Sequence, residues 1–237
     1  MSERQHNRVP YCVRVEFRTP SSFLVAYSVN ISRGGLFLET DIGIELGARI
    51  EVALVVPKVG QIDVVGHAVW VRGRDSSEGP PGVGIELTDE AADLGRIIDK
   101  LVANYTGMSV LLLCGDRQDR TSLTRLVKSI FATAEVMQVA DSKVASTLMT
   151  ADVDLAIIDV DFDVEGGLAS LRIAKTNQPP IPTVALASTK KLRELARAAG
   201  ADELVANPPP LAELQVALVR AMGRPISTST AGPVRTP

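Results

Sequence analysis

Cysteine, histidine and aromatic residues are scarce in this chain. Its 237 residues include two cysteines, two histidines and one tryptophan, and aromatic side chains make up 4% of the total. Cys12 and Cys114 fall in separate predicted strands, and no cysteine–histidine cluster with metal-ligand spacing is present. The sequence therefore predicts buried free thiols in a reducing compartment, with no metal site and no cofactor.

Long apolar runs and an excess of one charge are also missing. The formal net charge is -3 and the pI is about 5.5, so no overall positive field favours DNA or an anionic membrane. Apolar stretches such as Val110 to Leu113 are too short to span a bilayer, and residues 1–6 lack the apolar segment of a signal peptide. We expect a cytoplasmic protein without membrane insertion and without a DNA partner.

The composition that remains is that of a folded protein. Hydrophobic residues make up 46% and charged residues 22%, which is typical of a globular chain with a real core. The length allows two ordinary domains. A change of pattern near residues 106–107 predicts a boundary, with domains at residues 1–105 and 108–223 and a disordered tail rich in Ser, Thr and Pro at residues 224–237.

Short alternating segments at regular spacing characterise the first domain. Strands are predicted at residues 11–18, 23–31, 36–39, 48–56, 62–72 and 82–87, and an amphipathic helix follows to about residue 105. Trp70 is predicted to share the apolar face of its strand and to lie in the core. Six short strands closed by one helix indicate a small, all-β antiparallel barrel.

Two spaced motifs lie at the start of this domain. Arg4 and Arg8 form an R-x-x-x-R pair, and Asn30, Ser32 and Gly35 form N-x-S-x-x-G in a turn between predicted strands. Either motif alone is explained by solvated arginines at a terminus or by ordinary turn chemistry. Their occurrence together, in this order and on a barrel pattern, favours a binding site.

Residues 1–105 resemble the PilZ domain, a bacterial receptor module for cyclic di-GMP. The resemblance implies that Arg4 and Arg8 grip phosphate and the guanine edge, and that Asn30, Ser32 and Gly35 contact the ligand on the barrel. In many relatives an Asp stands at the Asn30 position. The chemistry suits the ligand, since a guanidinium pairs bidentately with guanine O6 and N7 and with phosphate.

Residues 108–223 alternate strand and helix five times, which predicts a doubly wound parallel sheet. This pattern resembles a response-regulator receiver, with Asp159 at the position of the phosphoacceptor. The supporting residues of a receiver are replaced. Cys114 and Gly115 stand where Mg²⁺ needs an acidic pair, Ala187 replaces the switch Thr or Ser, and Asn207 replaces the lysine. Asp161 and Asp163 are expected to be solvated in the following loop.

The second domain is therefore predicted to be a pseudo-receiver that serves docking or homodimerisation and is not phosphorylated. Three functions stay open for the whole chain. It is a cyclic di-GMP receptor that relays binding to protein partners of a signalling or motility complex, a ligand-independent adaptor in motility or polarity complexes, or a phosphorylation-driven regulator. The arginine pair favours the first, and the replaced receiver residues disfavour the third. Nothing in the sequence indicates an enzyme.

Overall fold

The chain folds into two compact units. The computed structural model describes residues 11–29, 35–76, 81–88, 92–105 and 107–231. The second unit is Tyr105–Arg224, and the described residues on either side of it make up the first. The chain thus leaves the first unit after Asn104 and returns to it at Pro225.

The elements, in chain order, begin with those before the second unit: β1 (Tyr11–Glu16), α1 (Pro20–Val29), β2 (Gly35–Glu39), β3 (Arg49–Val56), β4 (Gly60–Arg72), β5 (Gly82–Leu87) and α2 (Ala92–Ala103). The second unit contains β6 (Met108–Leu113), α3 (Arg117–Ile130), β7 (Ala134–Val139), α4 (Ser142–Leu148), β8 (Leu155–Asp159), α5 (Val164–Thr176), β9 (Thr183–Leu186), α6 (Lys190–Ala198), β10 (Glu203–Val205) and α7 (Leu211–Gly223). The last element is β11 (Ser227–Ala231).

The first unit is built on one mixed sheet of six strands in the order β11-β1-β3-β4-β5-β2. Its inward side chains, together with residues of α1 and α2, form a single apolar core. The predicted all-antiparallel pairing is wrong, because β1 pairs with β3 in parallel. A parallel pair needs a long crossover between its strands, and here that connection contains α1.

Helix α1 replaces the strand that was predicted at residues 23–31, within the described part up to Val29. Thr19 and Ser22 cap it reciprocally, each backbone N–H donating to the other side-chain oxygen at 3.1 Å. Pro20 suits the first helical position, where no N–H partner is needed. Residues 19–22, between the first two predicted strands, therefore form the start of a capped helix.

The interior of α1 explains why its period was hidden. Phe23 and Ala26 are buried and Tyr27 is partly buried, which is helical spacing. Leu24 and Val25 fill the intervening positions, so the segment is apolar on every side and carries no clear periodicity in its sequence. Phe23 fixes the helix on the core through an edge-to-face contact with Phe17, with 5.2 Å between ring centroids.

The predicted disorder of the tail is also wrong for residues 227–231. These residues form β11, which pairs antiparallel with β1 from Cys12 with Ala231 to Glu16 with Ser227. Composition could not reveal this strand, because an edge strand can be held by backbone hydrogen bonds and need not carry large apolar side chains.

The second unit is a parallel sheet in the order β10-β9-β8-β6-β7, with all pairs parallel. Numbered within the unit, this is the flavodoxin-like order 2-1-3-4-5, so the predicted doubly wound fold is confirmed. Its central strands β6 and β8 are almost wholly buried, as expected where helices cover both faces. In the described part of the chain, none of the helices is long and apolar enough to cross a membrane.

Candidate functional site

Gly35 is the predicted ligand residue that falls within the described part of the chain. The others, Arg4, Arg8, Asn30 and Ser32, lie outside the described residues. Gly35 begins β2 and pairs with Glu86 of β5. Neither a positive φ nor close packing requires glycine here, since an added Cβ would meet only the carbonyl oxygen of Ile85, at 3.5 Å. Among the described residues, only this carbonyl oxygen lies within 4 Å of an added Cβ at Gly35.

The next outward row of the same sheet carries two stacked aromatic rings. Phe37 follows Gly35 by two residues and so lies on the same face, opposite Gly84 of β5, which in turn pairs with Trp70 of β4. The rings of Phe37 and Trp70 lie 5.1 Å apart between centroids, with only 7° between their planes. Trp70 remains 43% exposed. A flat aromatic surface therefore lies beside the end of the N-x-S-x-x-G motif.

Two glycines of β5 make room for this stack. A Cβ on Gly84 would collide with the indole of Trp70, and a Cβ on Gly82 would collide with the ring of Phe37. The rings can approach the backbone of β5 because those side chains are missing. Glycine inside a strand often marks such a close approach.

Arg72 adds a positive charge to the stack. Its guanidinium carbon lies 4.6 Å from the centroid of Phe37 and 5.4 Å from that of Trp70. Both distances fall in the range of a cation–π interaction. The face beside Gly35 therefore combines aromatic area with a cation, a combination that suits a flat, anionic ligand.

The outward position of Trp70 corrects the prediction that it lies in the core. Ile62, Val64 and Ala68 of β4 point inward, and strict alternation would place Trp70 with them. The register between β4 and β5 shifts between Ala68 and Trp70, so Val69 is an extra residue. A bulge of this kind turns the following side chains to the other face.

Sequence reasoning missed Phe37, Trp70 and Arg72 as site residues. The bulge leaves no mark in the sequence. The alternating glycines Gly82 and Gly84, inside an otherwise good strand, are the signal that could have pointed to a close contact above β5.

At the carboxyl end of the second sheet, Asp159 lies where the resemblance placed it. Its side chain is 7% exposed and accepts hydrogen bonds from the N–H of Asp161 at 2.9 Å and from Nδ2 of Asn207 at 3.0 Å. Burial is the main cause that raises the pKa of the Asp159 carboxyl above its ordinary value, and the N–H of Asp161 opposes this shift.

Asp161 lies in the following loop, as predicted, but it is half-buried and takes part in the same cluster. Nδ2 of Asn207 also donates to Asp161 at 2.8 Å, and Ser188 donates to this carboxylate through both its backbone N–H and its hydroxyl. Asp163 is exposed as predicted and caps α5. The amide of Asn207 thus bridges the loops after β8 and β10, and Ser188 adds the loop after β9.

Cys114 and Gly115 stand at the two positions where a receiver carries its acidic pair, and both are packed against other groups. Cys114 is fully buried, and burial beside Asp159 raises the pKa of its thiol to about 12. The ring of Phe162 lies against the α-carbon of Gly115, where a Cβ would collide with it. Asp116 turns away to cap α3 by accepting from two backbone N–H groups.

These positions therefore offer no carboxylate pair to Mg²⁺ beside Asp159. Within the described ranges, no group of three or more His, Cys, Asp and Glu side chains is arranged to hold a metal ion. The absence of a metal cofactor stays a prediction.

Comparison with known families identifies the class of the first unit. Residues 2–104 match the PilZ domain. The N-terminal part of the chain is therefore a PilZ domain, and it precedes a unit with the flavodoxin-like strand order. PilZ domains are regulatory domains that typically carry no catalysis and imply signalling through cyclic di-GMP, so the match indicates a role in signal transduction. No curated protein matches the chain.

Solved receiver domains resemble the second unit. One is the receiver domain of a sensor histidine kinase of Pseudomonas aeruginosa, described with magnesium in its active-site cleft, at 26% identity and a TM-score of 0.44, covering 49% of this chain and 98% of that one. Another is the receiver domain of a DNA-binding response regulator of Colwellia psychrerythraea, at 19% identity and a TM-score of 0.42. The match covers 48% of this chain and 96% of that one. A third is a histidine kinase receiver domain of Clostridium thermocellum, at 17% identity and a TM-score of 0.43. The match covers 48% of this chain and 97% of that one.

Proposed function

We propose that this protein is a cyclic di-GMP receptor that relays ligand binding to protein partners. Arg4, Arg8, Asn30, Ser32 and Gly35 are the proposed ligand residues. The observation that carries the proposal is the stacked, cationic surface of Phe37, Trp70 and Arg72 on the same sheet face as Gly35. A purine base can stack on such a surface, while arginines supply the fork that matches guanine and phosphate.

Arg4 and Arg8 precede Tyr11, the first residue of β1, in the sequence and lie outside the described residues. Their part in the proposal rests on the chemistry of the guanidinium group, which pairs bidentately with guanine and with phosphate. In this proposal the second unit acts through contact with a partner and not through phosphorylation, because the groups around Asp159 are hydrogen-bonded to one another.

Calorimetric titration of cyclic di-GMP into the purified full chain tests the proposal. We expect low-micromolar or tighter binding that is lost in Arg8→Ala and absent with cyclic di-AMP, since adenine lacks the O6 acceptor that the guanidinium fork needs. Arg74→Ala is a matched control, because Arg74 is an exposed arginine of the same unit whose ion pair with Asp41 lies at the surface.

Trp70 supplies a second readout of the same titration. It is the single tryptophan of the chain, so a change in its fluorescence reports on the stacked surface alone. Binding heat accompanied by a fluorescence change supports the proposal. Absence of both in a folded protein at high ligand concentration would contradict it and leave the ligand-independent adaptor as the remaining function.

A further inference from the structure

Glu86 is the residue of β5 that directs a side chain to the outer face of the first sheet. The other outward positions of this strand are Gly82 and Gly84. An added Cβ at Gly82 would meet the ring of Phe37, and one at Gly84 would meet the indole of Trp70. Along β5 the outer face therefore carries, in order, the ring of Phe37, the indole of Trp70 and the carboxylate of Glu86.

The carboxylate of Glu86 has no partner in the described chain. Glu86 is exposed, and it forms no ion pair or side-chain hydrogen bond with the described residues. It pairs with Gly35 of β2, which has no side chain to cover it, and with the exposed His67 of β4. The cation of this row, Arg49 of β3, pairs instead with Glu51 at 3.5 Å.

A free carboxylate beside an indole matches one edge of guanine. An ionised carboxylate has two acceptor oxygens and no donor, whereas guanine presents N1–H and N2–H₂ as adjacent donors. Successive outward positions of a strand are about 7 Å apart, a distance that a glutamate side chain spans. A guanine that stacks on Trp70 thus brings its donor edge to the carboxylate of Glu86.

We infer that Glu86 is a specificity-determining residue of the proposed cyclic di-GMP site and accepts from N1–H and N2–H₂ of one guanine. The inference rests on the function proposed above. It assigns the donor edge of the base to a carboxylate, while the O6 and N7 acceptors remain for guanidinium groups. Adenine has an acceptor at N1 and no amino group at C2, so it would place a lone pair against the carboxylate.

Electrostatics alone predicts the opposite effect of Glu86 on binding. Cyclic di-GMP is an anion, so removing a nearby carboxylate that makes no contact should leave its affinity unchanged or raise it. Asp63 of β4 is the matched control, because it is an exposed acid on the same sheet face, two outward positions from His67. Its hydrogen bond, from Gln61 at 2.8 Å, lies at the surface.

Calorimetric titration of the full chain with cyclic di-GMP and with its inosine analogue tests the inference. Cyclic di-inosine monophosphate keeps O6, N7 and N1–H but lacks the N2 amine. We expect the unmodified chain to bind cyclic di-GMP about tenfold more tightly than this analogue. Glu86→Ala should weaken cyclic di-GMP binding about tenfold or more and bring the two affinities within about twofold of each other. Asp63→Ala should retain both the affinity and the preference.

The comparison of the two ligands on the unmodified chain needs no variant to fold. Equal affinity for cyclic di-GMP and the inosine analogue would overturn the inference while leaving the receptor function standing. The same conclusion would follow if Glu86→Ala bound cyclic di-GMP as tightly as the unmodified chain or more tightly. If the unmodified chain binds neither ligand, the inference and the proposed function both fall.

Discussion

Phe37, Trp70 and Arg72 of the first unit lie on the outward face of a sheet, whereas Asp159, Asp161 and Asn207 of the second unit face one another. The aromatic stack leaves Trp70 43% exposed on an open sheet face. The polar cluster is closed, because one amide donates to both carboxylates at 3.0 and 2.8 Å. The first arrangement leaves the indole of Trp70 partly accessible, whereas in the second the polar groups are paired with one another.

The difference shows that an open α/β sheet can keep its architecture while the groups at its strand ends pair with one another. The parallel sheet of the second unit still places Asp159 at the carboxyl end of its strand, where open α/β sheets bind ligands. The neighbours that would recruit a metal and a phosphoryl group are replaced by a thiol, a glycine covered by Phe162, and an amide. The scaffold alone therefore does not define the chemistry.

Disrupting the stack of Phe37 and Trp70 should have the largest effect, on the affinity for cyclic di-GMP. Gly84→Ala adds a Cβ that collides with the indole of Trp70, so the ring must leave the stack. We expect cyclic di-GMP affinity to fall about tenfold or more, since stacking on an aromatic side chain contributes about 1–3 kcal/mol per base. Titration calorimetry and the emission maximum of Trp70 measure the two consequences.

Gly95→Ala is the matched control for this variant. A Cβ at Gly95 on α2 meets nothing within 4 Å, so the variant should be neutral or slightly stabilising, with unchanged affinity. Equal affinity of Gly84→Ala and the unmodified chain would show that the stack lies outside the ligand site.

Removing the shared donor of the polar cluster around Asp159 should have the next largest effect, on stability. Asn207→Ala removes the shared donor and leaves the carboxylates of Asp159 and Asp161 with fewer partners at close range. The free energy of unfolding of the second unit should fall by about 1–3 kcal/mol at neutral pH. Urea unfolding monitored by far-ultraviolet circular dichroism measures it.

Asn177→Ala serves as the control, because this asparagine donates only to a carbonyl at the end of α5, at 3.2 Å. We expect a change within about 0.5 kcal/mol. If Asn207→Ala also changed the free energy of unfolding by no more than about 0.5 kcal/mol, water would be replacing the amide and the cluster would be accessible to solvent.

The charge of Asp159 gives a pH-dependent comparison of smaller size. Burial raises the pKa of this carboxyl, so the folded state binds the proton more tightly than the unfolded state. The associated stability is present below the unfolded pKa of about 3.9 and is lost as pH rises through the folded pKa. Asp159→Asn should therefore raise the free energy of unfolding at pH 7, and this gain should disappear in acid.

Asp163→Ala should behave in the opposite way. Backbone and hydroxyl donors lower the pKa of Asp163, so its contribution is present at neutral pH and is lost as pH falls through that pKa. Unfolding curves at pH 7 and at about pH 2, below the ordinary carboxyl pKa of about 3.9, check the two signs for both variants. A destabilising Asp159→Asn at pH 7 would show that the ionised carboxylate is well accommodated.

Phosphorylating conditions should have no effect on the second unit. Incubation with Mg²⁺ and acetyl phosphate or beryllofluoride should leave the intact mass and the unfolding curve unchanged, because Cys114 and Gly115 stand in place of the acidic pair and Asn207 in place of the lysine. Stable modification at Asp159, located by mass spectrometry of peptides, would contradict the pseudo-receiver and restore phosphorylation as an input.

Periodicity predicted the second unit well and the first only in part. Buried parallel strands are continuous apolar runs, and the helices between them alternate clearly, so β6 to α7 follow from the sequence. In the first unit, α1 is apolar on every side and its cap uses Ser22 where Glu or Gln is usual, so neither period nor cap identified it. Only packing distinguishes such a helix from a strand.

The candidate sites divide in the same way. Asp159 could be placed from the sequence, because its position follows from the order of strand and helix alone. The bridge from Asn207 to Asp161 could not, since it joins loops that are distant in sequence. Likewise, the motif ending at Gly35 is visible in the sequence, whereas the aromatic stack depends on the bulge at Val69 and on two glycines of another strand.

The sequence by itself determined the two-domain order, the doubly wound sheet and the class of the first domain, because local periodicity and short spaced motifs carry that information. The tertiary structure decided which face Trp70 takes, that the final Ser/Thr segment is a strand, and that the receiver-like site is closed. Each of these depends on pairing between residues far apart in the chain, where backbone hydrogen bonds and register, rather than local preference, select the conformation.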